Sequence, residues 1–401
     1  MSRKNLSIAI IGGGPAGLKA AEVAAKTGAH VTLYEAKRSV GRKFLIAGKS
    51  GLNLTSDADQ EDFIQSYSGS QMPSNTWQSL LSEFSNTHTR QWAQNLGVPT
   101  FVSSAQKVFP EKMKAAPLLR KWVLSLKNLG VEFLVNHTLT EISAKVPHAL
   151  SFNTPDGKVT KTHDKIILAL GGGSWPDSGS TGKWISLLDQ LGVKTIPLTA
   201  ANCGWEIDWP PQLLTQAEGL PIKNVCFHSG KKSLSGESVI TRYGMEGGPI
   251  YRLGPQIRQT GSFSIDLKPT FSEERLLKKM ESAKRNLLAE AEQRWKLHPA
   301  SIALLEHYHQ AENCTKEQLA HLVKNCILTC RNPRPIEEAI SSAGGICWSE
   351  LDPFLRLKKH PTISVAGEMI DWEAPTGGFL LQGCFATGKR AASGATSMNH
   401  K

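Results

Sequence analysis

The chain has 401 residues, of which 40% are hydrophobic and 20% charged. That balance excludes a disordered chain, which lacks the apolar content to offset ordering entropy, and a disulfide-stapled miniprotein. The formal net charge of +11 is spread along the sequence and is not a tail, which suits an anionic ligand, with nucleic acid a less favoured partner.

The sequence has no apolar run of the roughly 18 residues that a membrane helix needs, so no membrane span is expected. Arg3 and Lys4 precede an apolar stretch at Ile8–Ile11, but Gly12-Gly13-Gly14-Pro15 breaks it too early for a secretory signal. The 7 cysteines are scattered and form no C-x-x-C pair. They read as free thiols of a reducing cytoplasm, with no metal site. Cys326 and Cys330 are spaced to share a helix face.

In chain order, Leu6–Ile11 reads as a short β-branched strand, Ala16–Lys26 as an alanine-rich helix stopped by Gly28, and His30–Tyr34 as a second strand. This is a βαβ unit, for which a right-handed crossover and a parallel pair are expected. Residues 57–100 read as helical and polar, with Trp77 and Trp92 as core anchors. A further helix is expected over 117–129 and a strand over Gly130–Val135. Lys165–Leu170 reads as a strand buried on both faces, running into Gly171-Gly172-Gly173.

From about Ile196 prolines punctuate short alternating runs, which predicts an antiparallel β insert. Ser272 caps a charged helical stretch, and helical patterns continue to about Asn332. The last strand is Thr362–Ala366, followed by a glycine-rich loop and a small-residue helix over Gly383–Gly394. The expected fold is α/β: a discontinuous Rossmann-like dinucleotide-binding domain of residues 1–195 and 336–401, with an inserted antiparallel β and helical substrate domain over 196–335.

The strongest motif is Gly12-Gly13-Gly14-Pro15-Ala16-Gly17 between a strand and a helix. Gly12 permits the tight turn, Gly14 lets a pyrophosphate reach the backbone, and Gly17 lets the helix pack on the strand. Glu35 ends the second strand, 18 residues after Gly17, where a carboxylate takes a ribose hydroxyl pair. Gly41-Arg42-Lys43 and Gly48-Lys49-Ser50-Gly51-Leu52-Asn53 follow, and cations on a glycine-rich backbone suit the far phosphate and ribityl chain of a long cofactor. Far along the chain come Gly367-Glu368, Asp371 and Thr376-Gly377-Gly378-Phe379. An acid there can bind ribityl hydroxyls, and a helix N-terminus can stabilise negative charge on a reduced flavin. This arrangement is what FAD needs and NAD does not.

These elements resemble the HI0933-like family of bacterial FAD-binding flavoproteins, or NAD(P)/FAD-dependent oxidoreductases. The matching runs are Ile10–Gly17, Gly41–Lys43, Ala169–Gly172, Gly367–Asp371 and Thr376–Gly378 followed by Gln382. The chain is closest to a subgroup with Trp175-Pro176-Asp177-Ser178-Gly179-Ser180-Thr181-Gly182 and Asp371–Gly377. The resemblance covers nearly the whole chain and implies the discontinuous FAD domain. Leu139 sits where such proteins present backbone to the adenine. Where much of the family has an arginine and then a cysteine, this chain has Gly51 and Leu52, so no arginine or thiol role carries over there; Asn53 matches.

The function expected is hydride transfer through FAD with NADPH or NADH as transient donor, on a small molecule held at the flavin face. Arg242 and Tyr243 in the insert are the candidate substrate contacts, and no residue is assigned as general acid or base. The rivals are a flavin-dependent RNA-modifying enzyme and a non-catalytic flavin-binding sensor. Gly182-Lys183 is not a P-loop, because Asp177 and Trp184 occupy required positions. Ser178 and Ser180 lack a triad context, and His307 and His309 diverge on a helix. Lys278, Lys279, Lys284 and Arg285 alternate with glutamates, as on a solvated face.

Overall fold

The computed structural model of the chain describes residues 6–397. It divides into two compact units, one of Met1–Thr199 with Ser341–Lys401 and one of Ala200–Ile340.

The first unit is built on a six-stranded sheet. Strand β1 (Ser7–Ile11) leads into helix α1 (Pro15–Lys26), which returns to strand β2 (His30–Glu35). Across the sheet the order is Arg356–Leu357, His360–Val365, Lys165–Leu168, β1, β2, Glu132–Val135. All neighbours are parallel except the antiparallel edge pair of Arg356–Leu357 with His360–Val365. From β1 the chain goes to one side through β2 and to the other through Lys165–Leu168. The switch point therefore lies between β1 and Lys165–Leu168, the place where open α/β sheets bind ligands.

The central strands are buried on both faces, which explains their unbroken apolar runs: Ile8, Ala9, Ile10, Ile166 and Ile167 are inaccessible to solvent. The small residues of α1 let the C-terminal helix Phe379–Thr396 come close. A Cβ on Gly388 would run into the Ala16 backbone. Within this packing lies a buried ion cluster. Lys19, 2% exposed, bonds to Glu22 at 3.1 Å, and Glu22 also accepts from Lys26, Trp92 Nε1 and Trp122 Nε1. The Lys19 ammonium sits 4.4 Å from the Phe84 ring centre and 4.7 Å from that of Trp92, a cation–π setting that offsets part of its desolvation. Burial lowers the Lys19 pKa to about 8. For Glu22 burial opposes ionisation, but Lys19 and Lys26 outweigh it and its pKa falls.

The second unit centres on a six-stranded antiparallel sheet in the order Trp205–Glu206, Gly244–Glu246, Lys232–Thr241, Pro221–Ser229, Ser262–Asp266, Cys326–Thr329. Its helices share a core around Phe227, Ile257, Phe263, Leu276 and Trp295. Ser272 caps the helix Glu273–Lys279 by accepting from Arg275 N.

Several sequence expectations change. The helical stretch over 57–100 is three short helices, Gln60–Gln65, Thr76–Glu83 and Asn86–Asn95. Asn75 at φ 63° opens the second of them, and the Ser85 capping box opens the third. Trp77 and Trp92 are buried, Trp77 stacked on Tyr67 at 3.7 Å. Cys326 and Cys330 do not share a helix: Cys326 opens the strand Cys326–Thr329, and Cys330 follows it. An unforeseen antiparallel meander, Thr138–Ile142, His148–Thr154 and Gly157–His163, joins the first unit's core through Leu150 and Phe152. The C-terminal helix starts four residues earlier than expected, at Phe379.

Candidate functional site

The crossover after β1 is shaped by backbone contacts that allow no side chain at two glycines. Gly12 has φ +108°, and a Cβ there would lie 2.8 Å from the Ala169 carbonyl carbon and closer still to its oxygen. Gly12 N donates to Tyr34 O, and Ala169 N donates to Ile11 O, both at 2.8 Å. The turn is thus locked between the exits of the three central strands. A Cβ on Gly17 would meet the Gly12 carbonyl, so Gly17 is what lets α1 start on top of β1.

Gly14 is different. It caps α1 at φ −77° and ψ 179°, a conformation any residue adopts, and a Cβ there would meet nothing within 4 Å. Neither the fold nor the backbone requires glycine at this position. Pro15 occupies the first helical turn, where its missing N–H costs nothing. Gly13, with its neighbours Val40 and Glu35 crowding its Cβ position, is closed to side chains.

Glu35 does more than end β2. Its two carboxylate oxygens accept from Gly13 N and Lys37 N, each at 2.8 Å. Each oxygen keeps lone-pair capacity for a hydroxyl. Burial pushes its carboxyl pKa up, while those N–H groups and the charges of Arg42 and Lys37 act against the rise. Gly179 lies beside it, its Cβ position 3.8 Å from Glu35 Oε1. The loop 171–180 is therefore brought to the end of β2. Leu139 is half-buried against the main core. The chain leading to it is tied to β2 through His137 N donating to Glu35 O at 2.9 Å.

The helix α2 (Arg42–Ala47) starts where Gly41 N bonds to Gly13 O at 2.8 Å. Arg42 Nε is buried and has no protein partner; its Nη2 reaches only the Asp177 carbonyl, at 3.5 Å. Asn53 Oδ1 and Ser180 Oγ are also buried without a protein partner. Lys43 has partners: it donates to Glu368 and to Ser174 Oγ, both at 2.8 Å. Both were expected to serve the cofactor, and here they neutralise each other while joining α2 to the turn after His360–Val365. Gly367, at φ +76°, brings that turn against Ala16. Gly172 packs on Ser342, with its Cβ position 3.5 Å from the Glu368 Cβ.

Asp371 is buried and accepts from Ser70 N at 2.7 Å. Burial pushes its pKa up, with the Ser70 N–H opposing. Its carboxylate anchors the turn at 68–71. Thr376 and Gly377 are half-buried, and Gly378, φ +95°, packs so closely on Thr55 that a Cβ would sit 2.5 Å from the Thr55 backbone. Phe379 opens the C-terminal helix and its carbonyl accepts from Tyr67 Oη at 2.7 Å. Below it, Gln382 is inaccessible to solvent, accepts from Thr55 and Thr89, and donates to Phe84 O.

Sequence reasoning missed Ser342, which no local signal marks, and Ser180, whose buried hydroxyl was weighed only as a nucleophile. Arg242 and Tyr243 belong to the second unit. There they line a pocket of about 340 Å³ with Trp209, Asp208 and Arg331. Tyr243 donates to Glu246 at 2.5 Å, and the Arg334 guanidinium lies 4.2 Å from its ring centre. Burial and Glu246 push the Tyr243 pKa up, so the phenol stays protonated.

A long dinucleotide fits the first unit's geometry. The N-terminus of α1 is open at Gly14, a carboxylate stands at the end of β2, and three buried polar atoms lack partners around the adjoining loops. Fold and site define a Rossmann-type flavoprotein of the FAD-dependent oxidoreductase class. The family model for the HI0933-like protein Rossmann domain matches residues 6–394, and the chain belongs to that family. It is 26% identical to a 3-dehydro-bile acid delta(4,6)-reductase of Clostridium scindens, over 97% of this chain and 98% of that protein. It is 23% identical to a ribosomal RNA dihydrouridine synthase of Haemophilus influenzae, over 70% of this chain and 69% of that one. Among solved structures it resembles a 3-ketosteroid-delta4-(5alpha)-dehydrogenase of Rhodococcus jostii, with a TM-score of 0.56 at 14% identity, covering 98% and 97% of the two chains.

Proposed function

We propose that the chain binds FAD in the crossover cradle and passes a hydride from NADPH or NADH to an activated carbon–carbon double bond of a small apolar molecule. The observation that carries the cofactor half is Gly14, a glycine that the fold itself does not require. A phosphate drawn to the helix N-terminus needs that space. The substrate class is suggested by the bile-acid reductase, which is similar over nearly the whole chain.

FAD held there would supply the two-electron redox chemistry that links the donor to the double bond. The protein's work is binding and electrostatics. The free N–H groups at the start of α1 hold the pyrophosphate. Glu35 accepts the ribose hydroxyls with its remaining lone pairs, and Arg42 Nε and Asn53 Oδ1 take the polar groups of the far half. Gly171, Gly172, Gly367 and Gly378 let the surrounding loops pack on Ser180, Ser342, Ala16 and Thr55, which shapes the cradle. The N-terminus of the 18-residue helix Phe379–Thr396 stabilises negative charge at the flavin edge. Arg242 and Tyr243, which line the pocket of the second unit, are the residues we assign to binding the substrate.

The test is anaerobic. Flavin absorbance is followed while NADPH, then NADH, is added, and the reduced protein is then mixed with an unsaturated 3-ketosteroid. Bleaching by one nucleotide and recovery with the ketone are expected. A flavin that neither nucleotide reduces would overturn the donor assignment, and one that no unsaturated ketone reoxidises would overturn the substrate class.

A further inference from the structure

The second unit concentrates positive charge at one place. Phe271 carries three cations around one ring: the Arg275 guanidinium at 4.4 Å, Lys279 Nζ at 5.2 Å and Lys268 Nζ at 5.6 Å from its centre. The three charges thus lie within roughly a Debye length of one another. Lys296 stands beside them, its carbonyl accepting from Lys268 at 3.3 Å. Burial together with Lys296 and Lys279 holds the Lys268 pKa down.

Among the described residues none of these four cations forms an ion pair. Two neighbouring acids are engaged elsewhere. Glu273 faces His321 at 3.5 Å, and Asp266 pairs with Lys324 at 2.6 Å. Lys324 also donates to the carbonyls of Lys268 and Phe271. That pins the turn, so the cluster is held in place. The glutamate alternation that suggests an ordinary solvated helix therefore does not neutralise this side. The structure adds Lys268 and Phe271, from outside the helix, to Arg275 and Lys279.

Like charges gathered around one ring repel unless an anion joins them, and the ring quadrupole offsets only part of that repulsion. A chain of closely spaced phosphates matches such a patch best, because each phosphate it meets releases a counterion. We propose that this face of the second unit binds the phosphodiester backbone of a single-stranded nucleic acid. Arg275, Lys279 and Lys268 make the phosphate contacts, and Phe271 organises the three cations.

The test uses the full-length protein and a fluorescein-labelled 20-nucleotide RNA, with DNA of the same sequence, followed by anisotropy between 50 and 200 mM salt. Binding is expected to weaken with salt with a log–log slope of about −0.7 per phosphate contacted, thus about −2 for three contacts. The double variant Arg275→Glu/Lys279→Glu is expected to lose at least about tenfold in affinity at 50 mM salt and to flatten the slope by about 1.4. Lys112→Glu/Lys161→Glu makes the same change of net charge on the first unit and should lose less than about threefold if the effect is local. Thermal melts show that both variants fold. Equal binding of RNA and DNA supports backbone reading, and preference for RNA supports it with added 2′-hydroxyl contacts. Absence of binding at 50 mM salt, or equal losses in the two variants, would overturn it. So would binding to phosphatidylglycerol vesicles with no binding to either strand.

Discussion

Alanine at Gly14 and alanine at Gly12 are expected to fail in opposite ways. At Gly14 the new methyl meets nothing within 4 Å and the backbone is already extended. The weaker N-cap costs up to about 1 kcal/mol, and the stiffer unfolded chain returns about 0.4–1 kcal/mol. Stability should stay within about 1 kcal/mol of wild type, a Tm change of roughly 2–4 °C at most. FAD affinity should fall at least tenfold, about 1.4 kcal/mol, because the methyl stands where the pyrophosphate approaches. At Gly12 the residue must hold φ +108° against the Ala169 carbonyl. Backbone strain of about 1–3 kcal/mol adds to a collision that only movement of the strand exits relieves, so a loss near 3 kcal/mol, roughly 6–12 °C in Tm, is expected. Thermal melts of the apoproteins and titrations with FAD measure both. Wild-type FAD affinity in Gly14→Ala would refute the reasoning. So would a Gly14→Ala apoprotein that melts as early as Gly12→Ala.

Other outcomes follow from the same contacts. Because the folded Lys19 pKa is lowered to about 8 from 10.5, the unfolded chain binds the extra proton between those values. Stability should therefore rise with pH across roughly 8–10.5, by up to about 3 kcal/mol, in urea melts, and Lys19→Met should abolish that rise. At pH 7 Lys19→Met should change stability little, since Glu22 keeps Lys26 and two indole N–H groups. Gln382→Leu strands the hydroxyls of Thr55 and Thr89 and the Phe84 carbonyl, and a loss of about 2–4 kcal/mol is expected in denaturant melts. Glu35→Ala frees the N–H groups of Gly13 and Lys37 and should weaken FAD binding more than Glu35→Gln, whose amide oxygen still accepts one of them; titration with FAD distinguishes the two. Tyr243→Phe should leave FAD content unchanged while reoxidation by an unsaturated ketone slows.

The crossover was legible because its chemistry is local. A strand, three spaced glycines, a helix and Glu35 follow one another within one supersecondary unit, and backbone approach sets the roles of Gly12 and Gly17. The family match spans residues 6–394, both ends of the chain included. What stayed hidden was set by distant partners. Lys43 and Glu368 meet only because parallel strands bring their loops together, so each alone reads as a cofactor ligand. Asp371 anchors Ser70, and nothing in its own segment says so. The meander over 138–163 did carry a signal, Pro155-Asp156-Gly157 between the alternating Leu150–Phe152 and Val159, but its outer strands, Thr138–Ile142 and Gly157–His163, are largely half-buried or exposed and polar. Within residues 57–100 the breaks were marked by Gly69, Pro73 and Asn75 before the second helix and by Ser85 before the third.

The most direct test of the account is the cofactor itself. The purified chain is denatured, and the released chromophore is identified and quantified against protein, with FAD titration of any apoprotein. One FAD per chain, or stoichiometric uptake with micromolar or better affinity, is the expected result. A colourless protein that takes up no FAD would contradict the central claim, whatever the crossover's geometry.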